Sequence, residues 1–325
     1  MTVHVKPYQE SDATNWDTFV YASRNGTFFH TRRFLVYHPA DRFADASLWI
    51  LDGEKPLAVL PAATKSIDGK KILVAHPGAS YGGLVLQKSC GVEDTRSIVD
   101  AVTAFARENG YDGLSFLRLT PPSVRSNFSD DQEYWMYQRG WSCTRFEMDG
   151  SIDLDGIKKG EALSLLSGKC RNMVRQAERA GVTVHSDPAF ETFWPILDAT
   201  LARHNATPTH SLEEILRLHA LSPEHVRLFS AKKDKKLVSG IVLITLNDSS
   251  VYTLYMAQNY DFHEYHPLHA ILAQILETAI QERRRTVHLG VSTEDGGKVI
   301  NEGLFFFKES FGCKPVRRES WEIRF

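Results

Sequence analysis

The chain has 325 residues, enough for two domains of ordinary size or one large one. Apolar residues make up 42% and charged residues 24%, proportions that exclude a disordered chain, a fibrous repeat and a coiled-coil rod. The 38 basic and 40 acidic side chains nearly cancel, so no global field draws the chain to nucleic acid or a membrane, and an anionic partner must be held by a local patch.

In chain order, the N-terminus lacks a basic segment followed by an apolar run, so no signal peptide is expected. A hairpin comes next, Leu48-Trp49-Ile50-Leu51 and Leu57-Ala58-Val59-Leu60 around the turn Asp52-Gly53-Glu54-Lys55-Pro56. Then come a strand at 71–75, the stretch Tyr81-Gly82-Gly83, a helix at 95–108 with one apolar stripe, and a strand at 113–119. A short aromatic-rich helix at 134–140 and a strand at 141–148 close this half. The segment 158–180 reads as a helical connector ended by Gly181, and the turn Ser186-Asp187-Pro188 opens the second half.

That second half repeats the first. Its hairpin spans 228–242 around Lys232-Lys233-Asp234-Lys235-Lys236, and its next strand is 251–256. The apolar run 237–246 contains Ser239 and Thr245 and is far too short for a membrane span, so it reads as a strand. A helix at 267–282, a strand at 286–291, a short helix at 304–312 and a last strand at 316–325 complete the set. Antiparallel strands come early in each half and one β-α-β crossover comes late, which makes the fold α/β, of the α+β mixed-sheet kind. The expected domains are 1–155 and 156–325, the second entered through the connector.

This order is similar to the GNAT acyltransferase fold, and two copies in tandem resemble the Fem-type (FemAB-like) aminoacyltransferases and CelD/BioF2-like acetyltransferase domains. The resemblance rests on Tyr81-Gly82-Gly83, on Lys169-Cys170-Arg171-Asn172-Met173-Val174-Arg175-Gln176-Ala177 with Gly181-Val182, and on Asn301-Glu302-Gly303-Leu304 through Phe307-Lys308 to Phe311-Gly312. Gly26-Thr27-Phe28-Phe29-His30-Thr31 is a weaker match. Neither half carries the Arg/Gln-x-x-Gly-x-Gly/Ala loop with which many GNAT enzymes hold the CoA pyrophosphate; the second half offers Tyr260-Asp261-Phe262-His263-Glu264-Tyr265-His266 instead. The slot of the family's acid tyrosine falls on Lys308, and the lysine that succeeds the Gly-Thr-Phe-Phe-type segment in the Fem-like branch is missing.

Arg171, Arg175 and Arg179 recur at every fourth residue, lining one face of the connector with guanidiniums suited to phosphate or carboxylate. By itself that pattern equally describes a solvated face; the resemblance implies a phosphate contact for Arg171. Lys308, within Phe305-Phe306-Phe307-Lys308, either snorkels to water or holds an anion, and the resemblance implies the second. Tyr255 reads either as a core aromatic or as a substrate contact. His263, His266 and His269 match no zinc signature and read as cleft-lining or surface histidines, so no metal is expected. Gly296-Gly297-Lys298 is a turn, not a phosphate loop. Gly78-Ala79-Ser80-Tyr81-Gly82 has the spacing of a nucleophile elbow but continues as extended apolar chain, so it reads as a cleft wall. Cys90, Cys143, Cys170 and Cys313 lie far apart with no C-x-x-C pair, which excludes a disulfide framework and points to a reducing, cytoplasmic setting.

The expectation is an N-acyltransferase that passes an acyl or aminoacyl group to an amine of a phosphate-bearing or envelope-related acceptor. Its substrate-binding residues would be Arg171, Lys308, Tyr255 and Arg175, with no general base assigned. No tightly bound cofactor is expected; the donor is either aminoacyl-tRNA or acyl-CoA, and the acceptor a small molecule or a lipid- or sugar-linked amine. DNA is not an expected partner. The alternatives are a CoA-dependent acetyltransferase of polysaccharide or lipid biosynthesis and a non-catalytic, degenerate GNAT binding module.

Overall fold

The structure, a computed structural model, describes residues 2–126 and 129–325. The chain forms two compact units: unit 1 runs to Met148 and adds 294–299 and 316–325, and unit 2 comprises 149–293 and 300–315.

In unit 1 the strands Val3–Pro7, Leu48–Asp52 and Lys55–Leu60 pair antiparallel, with the short Val85–Leu86 beyond them. Val85–Leu86 confirms that the chain after Ser80 continues as strand, where a nucleophile elbow would need a helix. A second sheet is built around Gly113–Phe116, parallel to Lys70–Ala75 on one side and antiparallel to the C-terminal strand on the other. The helix Val92–Glu108 places Ile98, Val99, Val102 and Ala106 on one buried stripe, packed with Leu73, Leu114 and Phe116.

Unit 2 is a mixed sheet in the order Thr183–Ser186, Val226–Lys233, Lys236–Asn247, Ser250–Gln258, Thr286–Val291, then residues 149–153. The hairpin 226–247 turns through Asp234 and Lys235, both left-handed at φ 50° and 65°, the conformation a tight twisted hairpin demands. The helix Pro267–Gln281 crosses over between the two parallel strands; proline starts it, and Ile271, Leu272, Ile275, Leu276 and Ala279 are buried along it.

Two expectations are corrected here. The connector is not helical from 158 to 180: residues 158–161 are turn and coil, a short 3-10 turn spans Ala162–Leu165, and the helix is Gly168–Arg179. Ser167 starts it, its hydroxyl accepting from Cys170 N–H at 3.2 Å. At the other end Gly181 (φ 76°) closes a Schellman motif, with Gly181 N–H on Glu178 C=O and Val182 N–H on Ala177 C=O, both at 3.0 Å. Second, the two terminal strands do not each stay within one half. Ser142–Asp153 begins in unit 1, but its end pairs with Thr286–Val291 in unit 2; Lys314–Arg324 starts in unit 2, but its body pairs with Gly113–Phe116 in unit 1.

Candidate active site

The site in unit 2 begins with two parallel strands that part. Ser250–Gln258 and Thr286–Val291 pair only at Ser250–Thr286, Val251–Val287 and Tyr252–His288. Past that point each turns to its other neighbour: 253–258 stays with Lys236–Asn247, and 290–291 with 149–150. Each strand has a bulge where the parting starts, at Leu254 in one and at Leu289 in the other, and a bulge bends a strand and increases its twist. Gly290, at φ 73°, carries the second strand through this bend. The result is a wedge at the sheet's centre. Two buried hydroxyls flank it without a hydrogen-bond partner among the described residues, those of Thr253 and Ser292.

A groove of about 480 Å³ lies at the open end of the splayed strand. Met256, Ala257 and Gln258 form its floor. Leu268 and His269 come from the start of the crossover helix, Leu304 and Phe307 from the helix Glu302–Glu309, and Thr200, Leu201 and His204 from the end of Phe190–Ala202. Tyr260, His263 and His266 complete it from the preceding loop. Among the described residues no aspartate, glutamate, lysine or arginine lines it. Burial, with His266 adding to it, pushes His269 down to about 4, so its imidazole is neutral near pH 7. His266 is lowered in the same direction by burial and by His263. Each aromatic of the Tyr260–Tyr265 segment lies under a cation from another element: Arg203 at 3.8 Å from the Tyr260 ring centre, Lys236 at 5.2 Å from Phe262 and Lys233 at 5.4 Å from Tyr265. The segment 260–265 is thus an aromatic platform with a basic rim.

The residues singled out in the sequence are distributed around this wedge. Lys308 is 2% exposed, and its ammonium donates to the carbonyls of Gly290 (2.6 Å) and Val291 (2.8 Å). Arg171 is half-buried, with Nη1 donating to Leu166 C=O at 2.6 Å. Its helix meets the helix of Lys308 where Ser167 N–H donates to Ser310 C=O at 2.8 Å. Arg175 is exposed on the same helix, next to Gln176, whose side chain reaches His266 at 3.1 Å. Tyr255 does not line the groove. Its hydroxyl accepts from the backbone N–H of Thr209 (3.1 Å) and His210 (3.2 Å), and its ring meets Trp194 edge-on. Burial raises its pKa, opposed first by the hydrogen bond with the Thr209 hydroxyl (2.8 Å) and then by those two backbone N–H groups.

His263, His266 and His269 do line the groove, and no cluster of metal-ligating side chains occurs among the described residues. Sequence reasoning missed Arg203 and the far wall from Thr200 to His204. Recurrent lysines around a hairpin turn and an arginine at a helix end carry no signal of what they face. No helix among the described residues is long and apolar enough to cross a membrane.

Comparison with known proteins agrees with this geometry. Residues 167–296 match the family of acetyltransferase (GNAT) domains. No curated protein matches the sequence significantly. Among solved structures, FemX superposes with a TM-score of 0.76 at 14% identity, covering 98% of this chain and 97% of its own. The C-terminal domain of a protein assigned as a lysylphosphatidylglycerol synthetase, from Agrobacterium fabrum, gives 0.62 at 15% identity over 97% and 92%. A tandem GNAT protein from the clavulanic acid biosynthesis pathway gives 0.59 at 11% identity over 99% and 98%. The chain therefore has the mixed α/β fold of FemX and the tandem GNAT proteins, with residues 167–296 similar to GNAT acetyltransferase domains.

Proposed function

We propose that the protein is an N-acyltransferase whose acyl donor lies in the unit 2 wedge and groove. The observation that carries this reading is the parting of Ser250–Gln258 from Thr286–Val291 beside a groove lined by apolar, histidine and neutral polar side chains. Strands that part leave backbone N–H groups free of the ladder, and such fixed donors suit the oxyanion that forms when an amine attacks an acyl carbonyl. Orientation of the two substrates supplies the rest of the rate enhancement, which agrees with the lack of an assigned base. In the reaction a neutral amine forms the new C–N bond, the bond from the carbonyl carbon to the donor's sulfur or oxygen breaks, and the amine proton leaves with the donor's carrier or to water.

The groove also bears on the choice of donor. Next to its thioester an acyl-CoA has an uncharged arm of amides and methylenes, whereas an aminoacyl-tRNA has a ribose phosphate beside the ester and an ammonium on the acyl group. A lining with the neutral His269 imidazole and no carboxylate favours the uncharged arm. The phosphates would then lie beyond the loop, toward Arg203, Lys236 and Arg175. Arg171 would anchor the start of the same helix beside the phosphate-bearing partner, and Tyr255 would act at one remove by holding the 209–210 backbone. For the acceptor, the fold shared with FemX and with a protein named for lysylphosphatidylglycerol favours an amine on a phosphate-bearing or envelope-related molecule.

Thermal unfolding with acetyl-CoA, longer acyl-CoAs and charged tRNA tests this reading. A ligand at a hundred times its dissociation constant adds about 2.7 kcal/mol. A rise in Tm with acyl-CoA alone is the expected result. A rise with charged tRNA alone would replace the donor, and no response to any of them would leave a non-catalytic binding module.

A further inference from the structure

A buried ammonium is costly unless its N–H groups are held. Lys308 is excluded from solvent, and its Nζ is held by two backbone carbonyls of a single strand, Gly290 and Val291. Those two residues lie past the last parallel pair, Tyr252–His288. In a continuing ladder the carbonyls of adjacent residues point to opposite sides, so one of the two would accept from an N–H of Ser250–Gln258 and the other from 149–153. The bulge at Leu289 and the left-handed Gly290 turn this part of the strand aside, and Lys308 takes up its carbonyls. The lysine reaches them past Gly150, where an added Cβ would lie 3.5 Å from its Cδ and 2.6 Å from Cys313 Sγ.

We infer that Lys308 is a positioning residue of the donor site: by occupying the Gly290 and Val291 carbonyls its ammonium keeps the two strands apart and the wedge open. This rests on the donor-site reading above and gives the lysine a role other than the phosphate contact that the family resemblance implies. Lys308 acts on the donor through the strand, so removing its charge changes donor affinity without removing a donor contact.

The test compares full-length wild type with Lys308→Met, which keeps the apolar stem, and Lys308→Ala. Coenzyme A and acetyl-CoA binding is measured by calorimetry well below the Tm, and amide exchange is followed over 289–292. Lys308→Met is expected to weaken coenzyme A binding by about tenfold or more, the equivalent of 1.4 kcal/mol, and to speed exchange at Val291 and Ser292. Propylammonium added to Lys308→Ala should restore part of the affinity, a rescue that a general loss of stability would not permit. Unchanged affinity together with unchanged exchange in folded Lys308→Met overturns the inference. If that variant does not fold, the wild-type ammonium decides: slowly exchanging Nζ protons support the buried clamp, and protons in fast exchange with solvent refute it. If wild type binds no coenzyme A, the donor reading fails by itself, and amide exchange in Lys308→Met still decides the strand-holding role.

Discussion

Gly290 and Tyr255 occupy the two strands of the wedge and separate conformational strain from side-chain chemistry. At φ 73° Gly290 adopts a backbone that side chains resist, while a Cβ there would meet only ordinary neighbours, the Tyr252 hydroxyl at 3.4 Å and Thr253 O at 3.7 Å. Gly290→Ala should therefore cost about 1 kcal/mol, read as a lower urea midpoint at unchanged m, and should weaken the donor as the strand straightens. Tyr255→Phe removes an acceptor from two backbone N–H groups and should cost about 1 kcal/mol. Because its ring lies outside the groove lining, donor affinity should stay within about twofold, a difference below 0.5 kcal/mol. A tenfold loss would return Tyr255 to direct substrate contact. That Tyr255 belongs to a strand was legible from the repeat, which places a strand at 251–256. Its surroundings were not, because the bulge at Leu254 breaks the period of two and no residue type announces a bulge.

Helices were legible where an apolar stripe and an end signal coincided. Pro267 and the stripe through Ile271, Ile275 and Ala279 mark the crossover helix almost to the residue. On the connector Gly181 marks the end correctly, but the start was placed too early, because 158–161 is charged and glycine-containing with no apolar period to refuse a helix. Gly181 offers a clean test of the cap. Nothing lies within 4 Å of an added Cβ, so Gly181→Ala meets the left-handed backbone penalty alone, about 1 kcal/mol, measurable by denaturant titration. A neutral result would mean that the helix end relaxes into another cap. The groove is a different case. Five separate segments build it, and each of them reads as ordinary amphipathic chain; a lining of apolar and histidine side chains becomes visible only when they are brought together.

At the scale of the whole molecule, buried histidines set the acid limit. Burial lowers His30 and His269 to about 4, and His76 to about 3 with His38 adding to the effect. Their folded pKa values lie below the unfolded one, so they bind protons on unfolding. The stability they contribute is complete above pH 6.5 and is lost as pH falls toward 4, by about 1.4 kcal/mol per pH unit for each histidine titrating. Chemical denaturation between pH 7 and pH 4.5 should show this slope in a range where most carboxylates are still ionised; a flat profile would mean that these imidazoles are solvated. The place of the last strand makes a second demand on the molecule. Sequence order assigns 316–325 to the second half, since an alternating strand carries no mark of the sheet it joins. In the fold Trp321, Glu322, Ile323 and Arg324 pair with Phe116, Ser115, Leu114 and Gly113, and Arg318 forms a buried ion pair with Glu147 at 3.1 Å, all within unit 1. A chain ending at Pro315 should therefore lose amide protection at 113–116 and 70–75 while 236–258 and 267–281 stay protected. The reverse pattern, with unit 2 opening first, would show that the strand stabilises the half that precedes it in sequence.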